Sequence, residues 1–204
     1  MKLQIYTFWI ALTLGFISLP FLASAQSVLQ IGSDMPMKTR EMQTVPDGTA
    51  TLASVKGEKG TVVVFWCNTC PWVKRYESRF VGLVETYEAR GFGFIAVNSN
   101  DAVAYPGDNF DEMKKQASAG GYGFPYVVDE GSELARGFGA KRTPQVFVYD
   151  LADKLVYQGA IDDSPADADK VEEDYLANAL DALVSGEAVT LAETKAFGCT
   201  IKFQ

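Results

Sequence analysis

The sequence predicts an α/β protein in which helices cover both faces of a mixed central β-sheet. The first observation is the run Thr61–Trp66, whose apolar and β-branched residues are typical of a central strand buried on both faces. The second is the helical spacing of apolar residues that begins at Pro71. The third is a pair of short apolar segments, residues 145–150 and 155–160, which predict a hairpin ahead of a last helix.

Residues 1–25 are predicted to be a secretory signal peptide and not part of the fold. Lys2 is followed by an apolar run, Ile5–Leu22, and then by Ala23-Ser24-Ala25, the small-residue pattern of a cleavage site before Gln26. The alternative is an uncleaved membrane anchor, because about 20 apolar residues are enough to span a bilayer. A proline within the run and the cleavage pattern favour removal, so we expect an exported protein, periplasmic or secreted.

The domain that remains, residues 26–204, is acidic and contains no histidine. The net charge of the full chain is −8, and removal of the one charged residue of the signal peptide, Lys2, makes it −9. An acidic surface disfavours nucleic acid and anionic membranes as partners, since both select basic patches. The absence of histidine excludes Ser-His and Cys-His catalysis and nearly all catalytic zinc sites. We therefore expect no metal, no cofactor, no nucleic-acid partner and no stable membrane association after cleavage.

Turn-forming residues separate the other predicted elements. Pro46-Asp47-Gly48-Thr49 predicts the turn of an N-terminal β-hairpin, and Gly91 ends the helix that begins at Pro71. The next predicted elements are a strand at Phe92–Asn98, a helix over 108–119, a strand over 124–129, a brief helix from Ser132 to Gly139 and the two strands of the later hairpin. A long last helix is predicted after Ser164-Pro165, with an apolar face that includes Val171, Tyr175, Leu176, Ala179, Leu180 and Leu183.

Two cysteines mark the junction between the first apolar strand and the helix after it. Cys67 and Cys70 are separated by two residues, which brings their sulfur atoms within bonding range. The N-terminus of a helix stabilises a thiolate through its free N–H groups and its dipole. A Cys-x-x-Cys pair at such a junction therefore indicates a redox-active disulfide.

The residue after Cys70 indicates which sulfur is the nucleophile. Proline is favoured at the first helical position, where its missing N–H is not needed. If Pro71 is that position, Cys70 is the N-cap, and its sulfur faces the N–H groups of Trp72 and Val73. A helix starting at Cys67 would instead carry the proline about one turn in, where it disturbs the hydrogen bonding. We therefore predict that Cys70 attacks and that Cys67 is the resolving cysteine.

Five segments together resemble one known family. They are the Asp47-Gly48 turn, FWCNTCPWVKRYE around the two cysteines, Phe124-Pro125-Tyr126, Arg142-Thr143-Pro144 before VFVYD, and GCTIK around Cys199. In these segments the chain resembles redoxins with a thioredoxin-like fold, of the peroxiredoxin-like branch of the alkyl hydroperoxide reductase and thiol-specific antioxidant family. The resemblance extends over nearly all of residues 26–204. It implies a mixed central sheet flanked by helices with an N-terminal β-hairpin extension, and an antioxidant or redox activity.

The resemblance also implies roles for single residues. The nucleophile of thioredoxins and the peroxidatic cysteine of peroxiredoxins both fall on Cys70. Cys67, however, occupies the position of the peroxiredoxin threonine, and Pro144 occupies the position of the peroxiredoxin arginine, two residues from Arg142. Those two groups orient the peroxide in the family, so their replacement implies a site better suited to disulfides. Thr143-Pro144 resembles the cis-proline turn that presents the backbone of its first residue to substrates; the alternative is a proline that starts an edge strand.

The role of Cys199 has two interpretations. An isolated cysteine in a packed tail is by default a buried apolar thiol. If the tail crosses the site, Cys199 could instead resolve a mixed disulfide or a sulfenic acid on Cys70.

Taken together, the residues predict an exported thiol–disulfide oxidoreductase that uses Cys70 and Cys67. Its substrate would be a protein or small-molecule disulfide or dithiol, with a thiol as electron donor. One alternative is a peroxiredoxin-like thiol peroxidase that reduces hydroperoxides through Cys70. Another is a non-catalytic binding domain in which Cys67 and Cys70 form a structural disulfide. Metal binding by the pair is disfavoured, because such sites usually add histidine or a third nearby thiolate.

Overall fold

The chain alternates β-strands with α-helices in the order that the sequence predicts. The computed structural model describes Met1 and residues 29–204. Apart from Met1, the predicted signal peptide lies outside the described residues, and so does its cleavage point before Gln26. In the described part of the chain, no helix has the length and the apolar character needed to cross a membrane.

The elements agree closely with the predicted ones. The strands are β1 (Met42–Val45), β2 (Thr49–Ala50), β3 (Gly60–Trp66), β4 (Phe92–Asn98), β5 (Tyr126–Val128), β6 (Arg142–Thr143), β7 (Gln145–Tyr149), β8 (Leu155–Gly159) and β9 (Cys199–Thr200). The α-helices are α1 (Pro71–Glu88), α2 (Phe110–Gly120), α3 (Glu133–Phe138) and α4 (Tyr175–Ser185).

Seven strands form the predicted mixed sheet, in the order β2-β1-β5-β4-β3-β7-β8. Strands β3, β4 and β5 run parallel to one another, whereas β7 pairs antiparallel with both β3 and β8 and forms the predicted hairpin with β8. The N-terminal hairpin of β1 and β2 is confirmed, and β1 joins it to the main sheet by pairing with β5. Strands β6 and β9 form a separate two-stranded sheet that the sequence does not predict.

The central strand is buried on both faces, as its unbroken apolar sequence predicts. Successive side chains of a strand point to opposite faces, and β3 divides accordingly. Val62 and Trp66 pack into the core formed with α1, α2 and α4, whereas Val63 and Phe65 pack into the core formed with α3. This double burial fixes the end of β3, and with it the loop that carries the two cysteines.

The last helix begins later than predicted. Instead of following Ser164-Pro165 directly, α4 begins at Tyr175. Acidic side chains before it accept hydrogen bonds from backbone N–H groups, Asp162 from Ser164 at 2.9 Å and Asp163 from Glu172 at 3.1 Å. Such local side-chain bonds compete with a helix for the backbone. The apolar positions after residue 175 are helical, and Leu176, Ala179 and Leu180 are buried as expected.

Candidate active site

The two cysteines lie at the junction of β3 and α1, in the register that the sequence predicts. Pro71 is the first residue of α1, and Cys70 is its N-cap, with an extended backbone (φ −77°, ψ 120°). Cys67 follows the last residue of β3, so only Asn68 and Thr69 separate the two cysteines. Both side chains are free thiols with very little exposure, 1% for Cys67 and 2% for Cys70.

Thr143 contacts both sulfur atoms. A hydrogen bond of 3.2 Å joins its Oγ1 to Cys67 Sγ. Its carbonyl oxygen lies 3.2 Å from Cys70 Sγ and accepts a hydrogen bond from it while Cys70 is protonated. The Thr143–Pro144 peptide bond is cis, as the resemblance implies. The cis-proline turn therefore lies directly against the cysteine pair, and substrate binding by Thr143 and Pro144 stays a prediction.

The C-terminal tail, residues 186–204 after α4, brings Cys199 next to Thr143 and the cysteine pair. Strands β6 and β9 pair antiparallel, with Cys199 directly opposite Thr143, and directly opposite residues share one face of a sheet. Cys199 is half-buried, packs against the core that contains Cys67 and Cys70, and lies close enough to Cys70 for the two thiols to shift each other's pKa. Cys199 therefore lies next to the other two cysteines and also packs against the core, and both interpretations of its role stay open. The tail does cross the site, which is the condition for a redox role.

The three thiols differ in how readily they ionise. A hydrogen bond from Cys67 lowers the pKa of Cys70 to about 5; burial opposes this change, while the Cys199 thiol and the Val73 N–H reinforce it. The same hydrogen bond to Cys70, together with burial, raises the pKa of Cys67 far above its usual range. Burial, followed by the hydrogen bond to Cys70, raises the pKa of Cys199 to about 11. These shifts favour Cys70 as the cysteine that ionises first, and Cys67 and Cys199 as protonated thiols.

A buried carboxylate holds the loop between the two cysteines. Asp108 Oδ1 accepts hydrogen bonds from the backbone N–H groups of Asn68 at 2.7 Å and Thr69 at 3.1 Å. Its Oδ2 accepts from the hydroxyl of Thr69 at 2.7 Å and from the amide of Asn100 at 2.9 Å. The negative charge of Asp108 also contributes to the raised pKa of Cys67. Asp108 thus fixes the loop and favours the protonated form of the Cys67 thiol.

The sequence did not predict that Asp108 and two asparagines would hold the loop between the cysteines. The amide of Asn98 donates to the carbonyl oxygen of Asp108 at 2.9 Å, and Asn100 binds its carboxylate. The sequence did contain a signal for the two asparagines, because Asn98-Ser99-Asn100-Asp101 is a polar run at the end of an apolar strand. Strands β3 and β4 are parallel neighbours, so their carboxyl ends lie at the same edge of the sheet as the cysteines. Asp108 carried no such signal, since the loop alone decides where it lies.

Arg142 and Trp72 lie near the cysteine pair, but their side chains contact residues 197–200 of the C-terminal tail. Arg142 Nη1 donates to the carbonyl oxygen of Gly198 at 3.3 Å and to Thr200 Oγ1 at 3.1 Å. The rings of Trp72 and Phe197 meet edge to face, with centroids 4.7 Å apart. These contacts hold β9 next to Cys70. The guanidinium of Arg142 hydrogen-bonds the tail and neither sulfur of the pair.

The side chains around the cysteines do not suit a metal ion. Both carboxylate oxygens of Asp108 are occupied by hydrogen bonds from the loop and from Asn100. In the part of the chain that the structure describes, no three His, Cys, Asp or Glu side chains are grouped so that they could hold a metal.

Solved structures share this fold over most of the chain. An uncharacterized conserved protein from Geobacillus kaustophilus is 37% identical, with a TM-score of 0.81, over 86% of this chain and 93% of that one. A hypothetical protein from Sinorhizobium meliloti 1021 is 31% identical, with a TM-score of 0.80, over 87% of this chain and 97% of that one. Neither name states an activity. The high coverage shows that these proteins share most of this architecture.

More distant structures show the fold alone. A putative thiol:disulfide interchange protein DsbE from Chlorobium tepidum is 23% identical, with a TM-score of 0.53, over 64% of this chain and 84% of that one. No curated protein sequence matches the chain significantly. The fold is thioredoxin-like, with a mixed sheet flanked by helices.

The family is shown by the sequence itself. The model of the AhpC/TSA family matches residues 31–158, which include the cysteine pair, Asp108 and the cis-proline turn. Cys199 and β9 lie beyond the matched residues. From the matched residues and the shared fold, we conclude that the chain belongs to the AhpC/TSA family.

Proposed function

We propose that the protein is an exported thiol–disulfide oxidoreductase in which Cys70 is the nucleophile and Cys67 is the resolving cysteine. The observation that carries the proposal is the contact of both sulfur atoms with Thr143 of the cis-proline turn. One surface thus presents a thiolate, a protonated thiol and a backbone segment that an extended substrate can bind. The predicted signal peptide supports export, and exported proteins meet substrates that carry disulfides.

The reaction follows from the protonation states of the two thiols. The thiolate of Cys70 attacks one sulfur of the substrate disulfide, and the other substrate sulfur leaves as a thiolate. Once Cys70 is in a mixed disulfide, its sulfur is no longer a thiolate that accepts a hydrogen bond from Cys67, so it no longer raises the pKa of Cys67 in this way. Cys67 then attacks Cys70 Sγ, the second substrate thiol leaves, and a Cys67–Cys70 disulfide remains. The reverse sequence oxidises a dithiol, and an external thiol supplies or receives the two electrons.

Access to Cys70 requires the tail to move. The thiol is 2% exposed, and the segment around Cys199 covers it. A ladder of two residue pairs, Arg142–Thr200 and Thr143–Cys199, joins that segment to the cis-proline turn, and the contact of Trp72 with Phe197 adds to it. Local opening of these contacts would let a substrate reach Cys70 without disturbing the main sheet.

A thiol peroxidase is the second candidate, because the chain belongs to the AhpC/TSA family and Cys70 has a lowered pKa. The site offers less to a peroxide than to a disulfide. The hydroxyl next to Cys67 Sγ belongs to Thr143, and Arg142 donates to β9. No cationic side chain of the described residues hydrogen-bonds either sulfur of the pair, whereas a breaking O–O bond needs charge stabilisation.

The nucleophile is tested in variants that keep one cysteine of the pair. We expect the Cys67→Ser/Cys199→Ser variant to react with dithiobis(nitrobenzoate), release one nitrothiobenzoate per chain and keep one on Cys70. The Cys70→Ser/Cys199→Ser variant should react far more slowly, because Cys67 is buried and protonated. A rapid adduct on Cys67 and none on Cys70 would reverse the assignment.

Two further measurements separate the candidate functions. Stopped-flow consumption of hydrogen peroxide that is no faster than with free cysteine supports the disulfide substrate, and much faster consumption supports the peroxidase. The reduction potential of the pair separates enzyme from binding domain, because structural disulfides have potentials below about −300 mV. We expect a higher potential, within the range of about −270 to −120 mV that redox-active pairs span.

A further inference from the structure

Cys199 lies where a second resolving thiol would have to lie. Cys199 pairs with Thr143, whose carbonyl oxygen lies 3.2 Å from Cys70 Sγ, and the Cys70 and Cys199 thiols are close enough to shift each other's pKa. Cys67 contacts Cys70 from the end of β3. Cys70 is therefore in contact with two thiols that belong to different segments of the chain.

The tail is built to bring Cys199 close. A Cβ atom on Gly198 would lie 2.1 Å from the carbonyl oxygen of Thr143, which is far inside van der Waals contact. Only glycine at this position lets β9 approach the cis-proline turn so closely. On the other side of Cys199, the N–H of Ile201 donates to the carbonyl oxygen of Lys141 at 3.1 Å. The close approach of Cys199 is thus a property of the backbone on both sides of it.

Exposure distinguishes Cys199 from the other two thiols. Cys67 is 1% exposed and Cys70 is 2% exposed, whereas Cys199 is half-buried. A Cys67–Cys70 disulfide would therefore be out of reach of an external thiol while the tail is closed. A Cys70–Cys199 disulfide would keep one sulfur, that of Cys199, at the surface.

We propose that Cys199 is a second resolving cysteine, which returns with the tail, forms a disulfide with Cys70 and presents it to an external thiol. The inference rests on the proposed attack by Cys70. After that attack, the thiolate of Cys199 bonds to Cys70 Sγ, the bond between Cys70 and the substrate sulfur breaks, and the substrate leaves as a thiol. The proton of Cys199 goes to solvent, and the substrate disulfide has gained two electrons. A donor dithiol then attacks Cys199 Sγ, Cys70 leaves as the thiolate, and the donor's second thiol releases Cys199 and forms the donor disulfide.

The ionisation of the thiols agrees with these steps. Cys199 is less buried than Cys67, so it forms a thiolate more readily when Cys70 is part of a mixed disulfide. The donor step expels Cys70, the thiol with the lowered pKa, and a thiol of low pKa is the better leaving group.

The test compares Cys67→Ser with Cys67→Ser/Cys199→Ser after reaction with dithiobis(nitrobenzoate). In the double variant we expect one nitrothiobenzoate released and one retained on Cys70. In Cys67→Ser we expect two released, none retained, and a Cys70–Cys199 peptide pair in the mass spectrum after digestion. A Cys67→Ser protein that retains its adduct on Cys70, or that carries adducts on both Cys70 and Cys199, would overturn the inference.

Two controls keep the outcomes distinct. If the double variant forms no adduct on Cys70, the proposed nucleophile fails, and not merely the role of Cys199. Cys67→Ser/Cys199→Ala repeats the comparison without a hydroxyl at position 199, and equal circular dichroism and melting temperature exclude a folding defect. Both double variants should retain the adduct.

Discussion

Asp108 accepts a hydrogen bond from the backbone N–H of Asn68 at 2.7 Å, so a buried carboxylate holds the loop between the cysteines from inside the protein. The contact joins two segments that are 40 residues apart in the sequence. It ties the loop between Cys67 and Cys70 to the folded core.

Replacement of Asp108 by alanine should destabilise the fold and loosen the loop. The buried N–H of Asn68 and the partly buried N–H of Thr69 would lose their acceptor, and a loss of this kind costs about 2–4 kcal/mol in free energy of unfolding. Urea unfolding of the reduced protein measures it. Glu58→Gln, at an exposed carboxylate, is the matched control and should change stability by no more than about 0.5 kcal/mol. Equal effects of the two changes would show that Asp108 does not hold the loop.

Thiolate formation on Cys70 should depend on the donor at position 67. In the reduced wild type, ultraviolet thiolate absorbance should rise as the pH rises through about 5, the pKa to which the Cys67 hydrogen bond lowers Cys70. Cys67→Ala removes the donor and should move this midpoint upwards, whereas Cys67→Ser keeps a hydroxyl donor and should move it less. The direction follows because a donated hydrogen bond favours the charged form. Mass-spectrometric alkylation at each pH assigns the thiolate, and a low pKa found only on Cys67 would contradict the assignment.

Thr143→Val should slow resolution by Cys67 more than attack by Cys70. The change removes the hydroxyl that bonds Cys67 Sγ and lowers its pKa, but it keeps the main-chain oxygen that contacts Cys70. A hydrogen bond contributes about 1 kcal/mol, which corresponds to roughly a fivefold change in rate. The measurement is the release of the first and second nitrothiobenzoate in a Cys199→Ser background, where only Cys67 resolves.

Thr200→Val serves as the control for that experiment. It removes a hydroxyl from the same two-stranded sheet, but this hydroxyl contacts Arg142 and neither sulfur of the pair. Both rates should stay within about twofold of the parent, since the change in free energy is expected to be within about 0.5 kcal/mol. If Thr143→Val slowed both steps equally, the hydroxyl would not act on Cys67 alone.

Gly198→Ala should displace the tail and uncover Cys70. The added Cβ would lie 2.1 Å from Thr143 O, so β9 must shift, at a cost of about 1–3 kcal/mol. Alkylation of Cys70 by a bulky maleimide should become faster as the tail opens. Gly82→Ala is the matched control, because nothing lies within 4 Å of its Cβ and it sits in a helix, where alanine stabilises by about 0.5–1 kcal/mol. Unchanged alkylation of Cys70 in Gly198→Ala would mean that β9 does not limit access.

Local sequence determined the central elements and the register of the cysteine pair. The apolar run of β3, the helical spacing of α1 and the position of Pro71 act over a few residues, and the structure has these elements as predicted. The last helix was placed too early, because Asp162 and Asp163 bind backbone N–H groups in a pattern that apolar spacing does not reveal.

Only the tertiary structure decided what surrounds the sulfur atoms. Asp108 reaches Asn68 from another loop, and β9 brings Cys199 to Thr143 across 56 positions of sequence (199 − 143). Periodicity and turn signals describe neighbours along the chain, whereas these contacts depend on how loops close over the edge of the sheet. The sequence by itself therefore determined a thiol pair at a helix N-terminus, and the fold decided that a third thiol meets it, because Gly198 lets the tail pack against the cis-proline turn.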